Sequence, residues 1–254
     1  MSGAAAQADV FGEHYERALR TPTGPLLLRE AASSDGTRHD LDRYLGEADE
    51  VEVRLTRDLP APVLDVGCGP GRMVRAAREA GLSALGVDVS ATAARIARRR
   101  GIPVWHGSVF DALPAEGAWG TALLLDGNIG IGGDPLALLV RCRALVRPDG
   151  RVIVETHTDS RRDRRFYGVL ADADGTAAGE PFPWAELGRR PLRRWSREAG
   201  LVLVREWSAR GRTFAEYARP AQSSTQPLST AQPLSAAPPL SRAQSRSVAG
   251  RFSR

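Results

Sequence analysis

The sequence predicts an α/β fold: a doubly wound, mostly parallel sheet of seven strands with helices on both faces. Three observations predict it. From Val63 to Ala218 short apolar runs alternate with amphipathic helical segments, the order that builds parallel sheets. The stretch V-L-D-V-G-C-G-P-G-R-M-V, Val63 to Val74, reads as a buried strand that turns at alternating glycines into a helix. A second apolar run, Ala122 to Leu125, ends in Asp126, Gly127 and Asn128, as a central strand does when it delivers polar groups to its carboxyl end. Residues 61–218 form this domain, residues 1–60 a helical N-terminal cap, and residues 219–254 a disordered tail.

The cap is read first. F-G-E-H-Y-E-R-A-L-R, Phe11 to Arg20, suits a short helix ending before Pro22, and a second helix is expected over Asp49 to Leu59. Between them S-S-D-G, Ser33 to Gly36, signals a turn.

The glycine turn follows. Gly67, Gly69 and Gly71 alternate there because the turn needs backbone angles that other residues resist, and because a ligand must approach bare backbone. The helix start then offers unpaired N–H groups to a polar or anionic ligand. A dinucleotide fingerprint, G-x-G-x-x-G, would require glycine at position 72, which is Arg72. Instead an acid, Asp65, stands two residues before Gly67. D-V-G-C-G-P-G resembles motif I of the class I S-adenosylmethionine-dependent methyltransferases, whose domain is Rossmann-like. The resemblance implies that S-adenosylmethionine is the cofactor, that Gly67, Cys68, Gly69 and Gly71 border it, and that Asp65 meets the amino end of its methionine moiety.

Met73 to Ala80 reads as a helix stopped by Gly81, and S-A-L-G-V-D-V-S as a second buried strand ending in an acid. Asp88 lies where a carboxylate accepts from both ribose hydroxyls of a nucleoside, or caps the next helix together with Ser90. G-V-D-V-S also resembles the family's motif II, which adds Val89 to the cofactor set. Ala91 to Arg100 is a helix with an arginine-rich outer face, read as solvated near its C-terminus.

A third strand, Ile102 to His106, ends at Gly107. The family places an acid next, where this chain has Ser108; Asp111 comes three residues late. Adenine recognition is therefore assigned to Ser108 and to the backbone N–H groups of Val109 and Phe110, with the Phe110 ring against the base. The resemblance puts Asp126 and Asn128 beside the transferring methyl group, unless they only organise their turn, and the loop I-G-I-G-G lets a substrate come close.

Pro135 opens another helix, and A-L-V-R-P-D-G-R-V-I-V-E continues through a turn into a fifth strand, in words that resemble the family. His157, just past that strand, is a candidate general base. Residues 159–179 read as a charged insertion over the active-site edge or a solvated loop. A helix near Pro191 to Ala199 follows, and L-V-L-V-R-E-W-S with R-T-F-A-E-Y-A supplies the last, antiparallel strands. In this reading the segment before the glycine turn, with Tyr15, His14, Arg29 and Tyr44 as pocket candidates, chooses the acceptor together with region 159–190.

Composition narrows the partners. All 35 basic residues are arginine, and five of them lie in residues 219–254, which hold no acid. The rest of the chain balances 30 arginines against 30 acids, so the net charge of +5 belongs to the tail and does not argue for nucleic acid. Two cysteines, Cys68 and Cys142, suit a reducing compartment better than a disulfide framework, and no zinc-ligand spacing exists. No apolar run reaches the roughly 20 residues needed to span a bilayer. The first residues lack a signal-peptide pattern, so a cytoplasmic location is expected. Absence of an N-P-P-Y tetrad and of a catalytic cysteine set leaves a small-molecule acceptor by elimination. The alternatives are a non-catalytic S-adenosylmethionine sensor or scaffold and, disfavoured by Arg72, a nicotinamide-dependent dehydrogenase.

Overall fold

A computed structural model describes residues 12–20, 26–31, 36–39, 41–171 and 177–221. The expected disordered tail lies outside these residues from position 222 onward.

The seven-stranded sheet contains β3 (Val63–Val66), β4 (Ala84–Asp88), β5 (Val104–His106), β6 (Trp119–Leu124), β7 (Val146–Thr156), β10 (Val202–Ala209) and β11 (Arg212–Ala218). Its order is β10-β11-β7-β6-β3-β4-β5. Parallel ladders join β3 to β4 and β6, β4 to β5, and β6 to β7, whereas β11 pairs antiparallel with both of its neighbours. The seven-stranded, mostly parallel sheet read from the sequence is the one found. Helices α4 (Arg72–Glu79), α5 (Ala91–Arg99), α6 (Pro135–Leu145) and α7 (Arg189–Glu198) make the crossovers. Strands β3 and β6 are buried at every position, which explains why both read as apolar runs, interrupted in β3 only by Asp65 and covering Ala122 to Leu124 of β6. Leu64, Val66, Ala122, Leu124, Val152 and Val154 join the helices in the main core. After β3 the chain moves outward through β4 and β5 and then returns to β6 on the other side of β3. The crevice at the carboxyl ends of β3 and β6 is therefore the topological switch point, where such sheets bind ligands.

Helix boundaries follow local chemistry. Asp49 caps α3 (Glu50–Thr56) in a reciprocal capping box with Glu52, Ser90 caps α5, and Asp134 caps α6 with Pro135 at its first position.

The N-terminal extension and region 159–190 depart from expectation. The extension holds helices α1 (Gly12–Arg20), α2 (Leu41–Leu45) and α3, but also strands β1 (Leu26–Glu30) and β2 (Gly36–His39). Of the two readings of residues 159–179, an insertion over the active-site edge or a solvated loop, the second fails: this stretch holds β8 (Asp163–Ala171) and the start of β9 (Ala177–Leu187). These four strands make a separate antiparallel sheet in the order β2-β1-β8-β9. Leu28, Phe166, Leu170, Phe182 and Trp184 share one hydrophobic cluster with Ala18 and Leu19 of α1. The cap is thus a helix-backed sheet assembled from two distant stretches of chain.

Candidate active site

At the end of β3 the chain enters left-handed backbone conformations at Gly67 (φ 72°), Gly69 (φ 52°) and Gly71 (φ 90°). Gly67 is fixed twice over, since a Cβ there would lie 2.6 Å from Asn128 Nδ2. Asn128 donates to the carbonyls of Val66 (2.8 Å) and Gly67 (2.9 Å) and so holds the turn from beneath. Gly71 serves packing instead, because its missing Cβ makes room for Ile102, and it does not line the cavity. Cys68 is buried, with its Sγ where a Cβ on Gly86 would fall.

The turn and the ends of β4 and β6 surround one cavity, which the cap sheet covers. Its lining includes Asp65, Gly67, Cys68, Gly69, Asp88, Val89, Ser108, Val109, Phe110, Asp126 and Asn128. The structure therefore brings all the sequence-predicted cofactor residues except Gly71 to one wall. Asp88 accepts the N–H of Gly69 at 2.7 Å and that of Ser90 at 2.8 Å, tying the turn to the start of α5. Burial raises its pKa, and those two N–H groups oppose the rise. Asp65 is buried, and among the described residues no hydrogen bond reaches its carboxylate. Burial pushes it up to about 7, with Arg72 acting against the shift. An unpartnered buried carboxylate facing a cavity suits a cationic ligand group.

The loop after β5 is closed by its own polar groups. Ser108 N–H points to Asp111 Oδ2 (3.3 Å), and Phe110 N–H donates to Ser108 Oγ (3.2 Å). The Phe110 N–H, expected to meet adenine, is thus already engaged. That of Val109 makes no hydrogen bond among the described residues, so it is the donor left for a base edge.

Asn128, read as bordering the methyl group or organising its turn, lines the cavity and supports the glycine turn. His157 does not line the cavity: its N–H donates to Leu187 O (2.8 Å), and Asp159 N–H donates to its Nδ1 (3.0 Å). The parallel bridge between His157 and Gly188 draws the chain toward β9, so the general-base assignment is withdrawn. Of the cap candidates, Tyr15 and Tyr44 line the cavity, whereas Arg29 does not; the His14 side chain lies outside the described residues. Burial first, then Asp88, raises the pKa of Tyr15, and burial does the same for Tyr44, so both stay phenols.

Behind the cavity lies an ion network that no local pattern announced. Arg72, almost wholly buried, holds Glu52 of α3 with one guanidinium nitrogen and Asp126 with the other. Arg43 of α2 also meets Glu52 and reaches Asp126 at 3.4 Å. Arg212 of β11 grips Glu155 with two bonds of 2.7 Å and Glu52 with one of 2.9 Å. Asp126 itself sits at φ 54° and donates its N–H to Glu155 Oε2 (2.8 Å). Its carboxylate thus lines the cavity while paired with arginines. Burial would raise Glu52, but Arg72, the Asp49 N–H and Arg43 together outweigh it and hold the acid at about 2.

The loop Asn128–Gly133, a kinked 3-10 segment, receives the cap. A Cβ on Gly130 would lie 2.5 Å from the Trp184 ring, and one on Gly133 would lie 2.7 Å from Pro183. Gly130 and Gly133 of I-G-I-G-G thus admit β9, whereas Gly132 lines the cavity beside Phe110.

With this geometry in view, the family model described as a methyltransferase domain matches residues 37–206. The chain belongs to this methyltransferase-domain family. Members and structural neighbours agree with that. A ubiquinone biosynthesis O-methyltransferase of Cereibacter sphaeroides is 28% identical over 137 residues, 49% of this chain and 55% of that protein. The match thus spans little more than half of that relative's length. A SAM-dependent methyltransferase from Bacteroides fragilis, in complex with S-adenosyl-L-homocysteine, has the same fold at a TM-score of 0.61 and 20% identity, over 84% of this chain and 95% of that one. The 1,6-didemethyltoxoflavin-N1-methyltransferase of Burkholderia thailandensis follows at a TM-score of 0.50 and 22% identity, over 68% and 80% of the two chains.

Proposed function

We propose that this methyltransferase-family protein binds S-adenosylmethionine along the glycine turn and moves its methyl group to a small-molecule acceptor held beneath the cap. The observation that carries the reading is the pair of buried carboxylates, Asp65 and Asp88, lining one cavity on either side of a bare glycine turn. When bound, the cofactor supplies a methyl group already made electrophilic by its sulfonium.

This chain's residues then bind, orient and exclude water. Asp65 matches the ammonium of the methionine moiety and Asp88 the ribose hydroxyls. Val109 N–H and Phe110 meet the adenine. The cap closes over the crevice and keeps the acceptor nucleophile near the reacting carbon, where proximity and orientation do most of the work. The relatives' activities support a small-molecule acceptor and divide between oxygen and nitrogen as the receiving atom. The comparisons lend no support to a non-catalytic binder. Among the described residues, no helix is long and apolar enough to cross a membrane.

The test is calorimetric titration with S-adenosylmethionine, S-adenosylhomocysteine and NAD in parallel. Micromolar binding of the two sulfur nucleosides and none of NAD is expected. Binding of NAD alone, or of none of the three, would sink the reading.

A further inference from the structure

The cavity is two-faced. Its charged lining residues, Asp65, Arg72, Asp88 and Asp126, all come from β3, β4, the loop after β6 and the first turn of α4. The residues contributed by the cap carry no charge: Leu28 of β1, Leu170 of β8, and Phe182, Pro183 and Trp184 of β9, with the phenols Tyr15 and Tyr44 at the side. Arg72 is the one cation among the described lining residues, and both of its terminal nitrogens are committed to Glu52 and Asp126. An anionic group under the cap would therefore be desolvated with no free cation to pair with, an arrangement that proteins avoid.

The ceiling is also shaped. Phe182 and Trp184 meet edge to face, with ring centroids 5.9 Å apart and planes at 89°. Trp184 is pressed against the backbone at Gly130, where any Cβ would collide with the indole and with Ala185 O, so the ring is held in place rather than free to turn. Fixed aromatic faces beside Leu28 and Leu170 favour a flat apolar body, for which stacking adds to area burial.

Building on the cofactor reading above, we propose that the acceptor is an uncharged molecule with a flat, apolar ring system, selected by Trp184, Phe182, Leu28 and Leu170 of the cap sheet. The charged wall takes the cofactor, and the uncharged ceiling takes the acceptor's ring. Trp184 is the specificity-determining residue, since β9 and the glycine loop together fix its ring.

The test is titration of 2-naphthol, 2-naphthalenesulfonate and methyl β-glucoside into protein saturated with S-adenosylhomocysteine. The neutral ring is expected to bind at least tenfold more tightly than the sulfonate, and the glucoside to give no signal. Trp184→Ala should weaken 2-naphthol at least tenfold and Trp184→Phe should restore it to within threefold, both with S-adenosylhomocysteine affinity within threefold of the parent. If Trp184→Ala does not fold, Leu170→Gln takes its place with the same expected loss. Equal binding of the sulfonate or the glucoside, no binding of 2-naphthol, or indifference to the Trp184 and Leu170 changes overturns the proposal. S-adenosylhomocysteine is titrated first. Should it fail to bind, the cofactor reading falls, and the same three probes titrated into the protein alone still decide the character of the ceiling.

Discussion

Arg72 and Glu52 form a buried ion pair across the boundary between the N-terminal extension and the main sheet. Glu52 has no exposed side-chain surface, and its other oxygen is shared by Arg43 and Arg212. Removing Arg72 takes one arginine from each of two acids, Glu52 and Asp126, at once. Arg72→Leu is expected to cost about 3–5 kcal/mol, as breaking a buried pair does, read as a fall in the urea midpoint. Arg72→Lys should recover little, because a single ammonium cannot span two carboxylates as the planar fork does. A variant as stable as the parent would show that the network is ornamental.

The same network sets an acid limit. Glu52 is held at about 2, below its unfolded value, so its contribution is present above pH 4.5 and disappears as pH falls toward 2. Glu52→Gln should flatten the fall in melting temperature between pH 5 and 3. A parallel fall in parent and variant would remove Glu52 from the account.

Asp65 has the opposite sign. Burial raises it to about 7, so its protonated form stabilises the fold at low pH, and that contribution is lost as pH rises through 7. Asp65→Asn is therefore expected to melt at least as high as the parent at pH 8 while binding S-adenosylmethionine at least tenfold more weakly. In the parent, binding near pH 6.5 should release a proton, because a cation beside Asp65 favours its ionised form. Calorimetry in buffers of different ionisation enthalpy detects this, and enthalpies that do not vary with buffer would argue against Asp65 as the ammonium's partner.

Asp88 serves two backbone donors and, in the proposed complex, the ribose. An amide cannot replace it cleanly, since its NH2 would face the N–H of Gly69 or Ser90, donor against donor. Asp88→Asn and Asp88→Ala should both weaken cofactor binding tenfold or more. Unchanged affinity in Asp88→Ala would refute the ribose assignment.

Gly67 and Asn128 form a coupled pair. Gly67→Ala places a methyl group 2.6 Å from Asn128 Nδ2 at φ 72°, and Asn128→Ala removes two hydrogen bonds to the turn. Each should destabilise by about 1–3 kcal/mol. The double variant should cost less than the two combined, because removing the amide makes room for the methyl group. Strict additivity in unfolding experiments would show that the two residues act separately.

What could be read beforehand was whatever leaves a local trace. Strands β3 and β6 are buried on both faces and so appear as mainly apolar runs, and the glycines between β3 and α4 mark backbone that only glycine takes readily. Asp65 and Asp88 were found because their distance from that turn along the chain fixes their place in space. The cap sheet left no such trace. The β8 segment begins D-R-R, as a solvated loop would, and the burial of Phe166 and Leu170 depends on partners far away in sequence. An alternation of Phe166, Gly168 and Leu170, together with P-F-P-W, was the one available sign. Arg72 was noticed only for what it excluded. Its pairing with Glu52 and Asp126, 20 and 54 residues away, has no signature in a single chain. His157 does stand at the end of β7, but a strand end points at a cavity only if the following chain lets it, and here β9 does not.

The cap has a temporal consequence. Leu28 pairs with Leu170, so β1 must wait until β8 has been made and brought back across well over a hundred residues. The parallel strands β3 to β7 are all made before β8, so they can pair before the roof has its second half. A chain emerging from the ribosome would therefore hold its nucleotide crevice open until the last third of the sequence arrives. It follows that inheritance cannot easily exchange the roof as a unit. A new ceiling must be written at two distant places in the gene, and each half has to recognise the other before either contributes to choosing an acceptor.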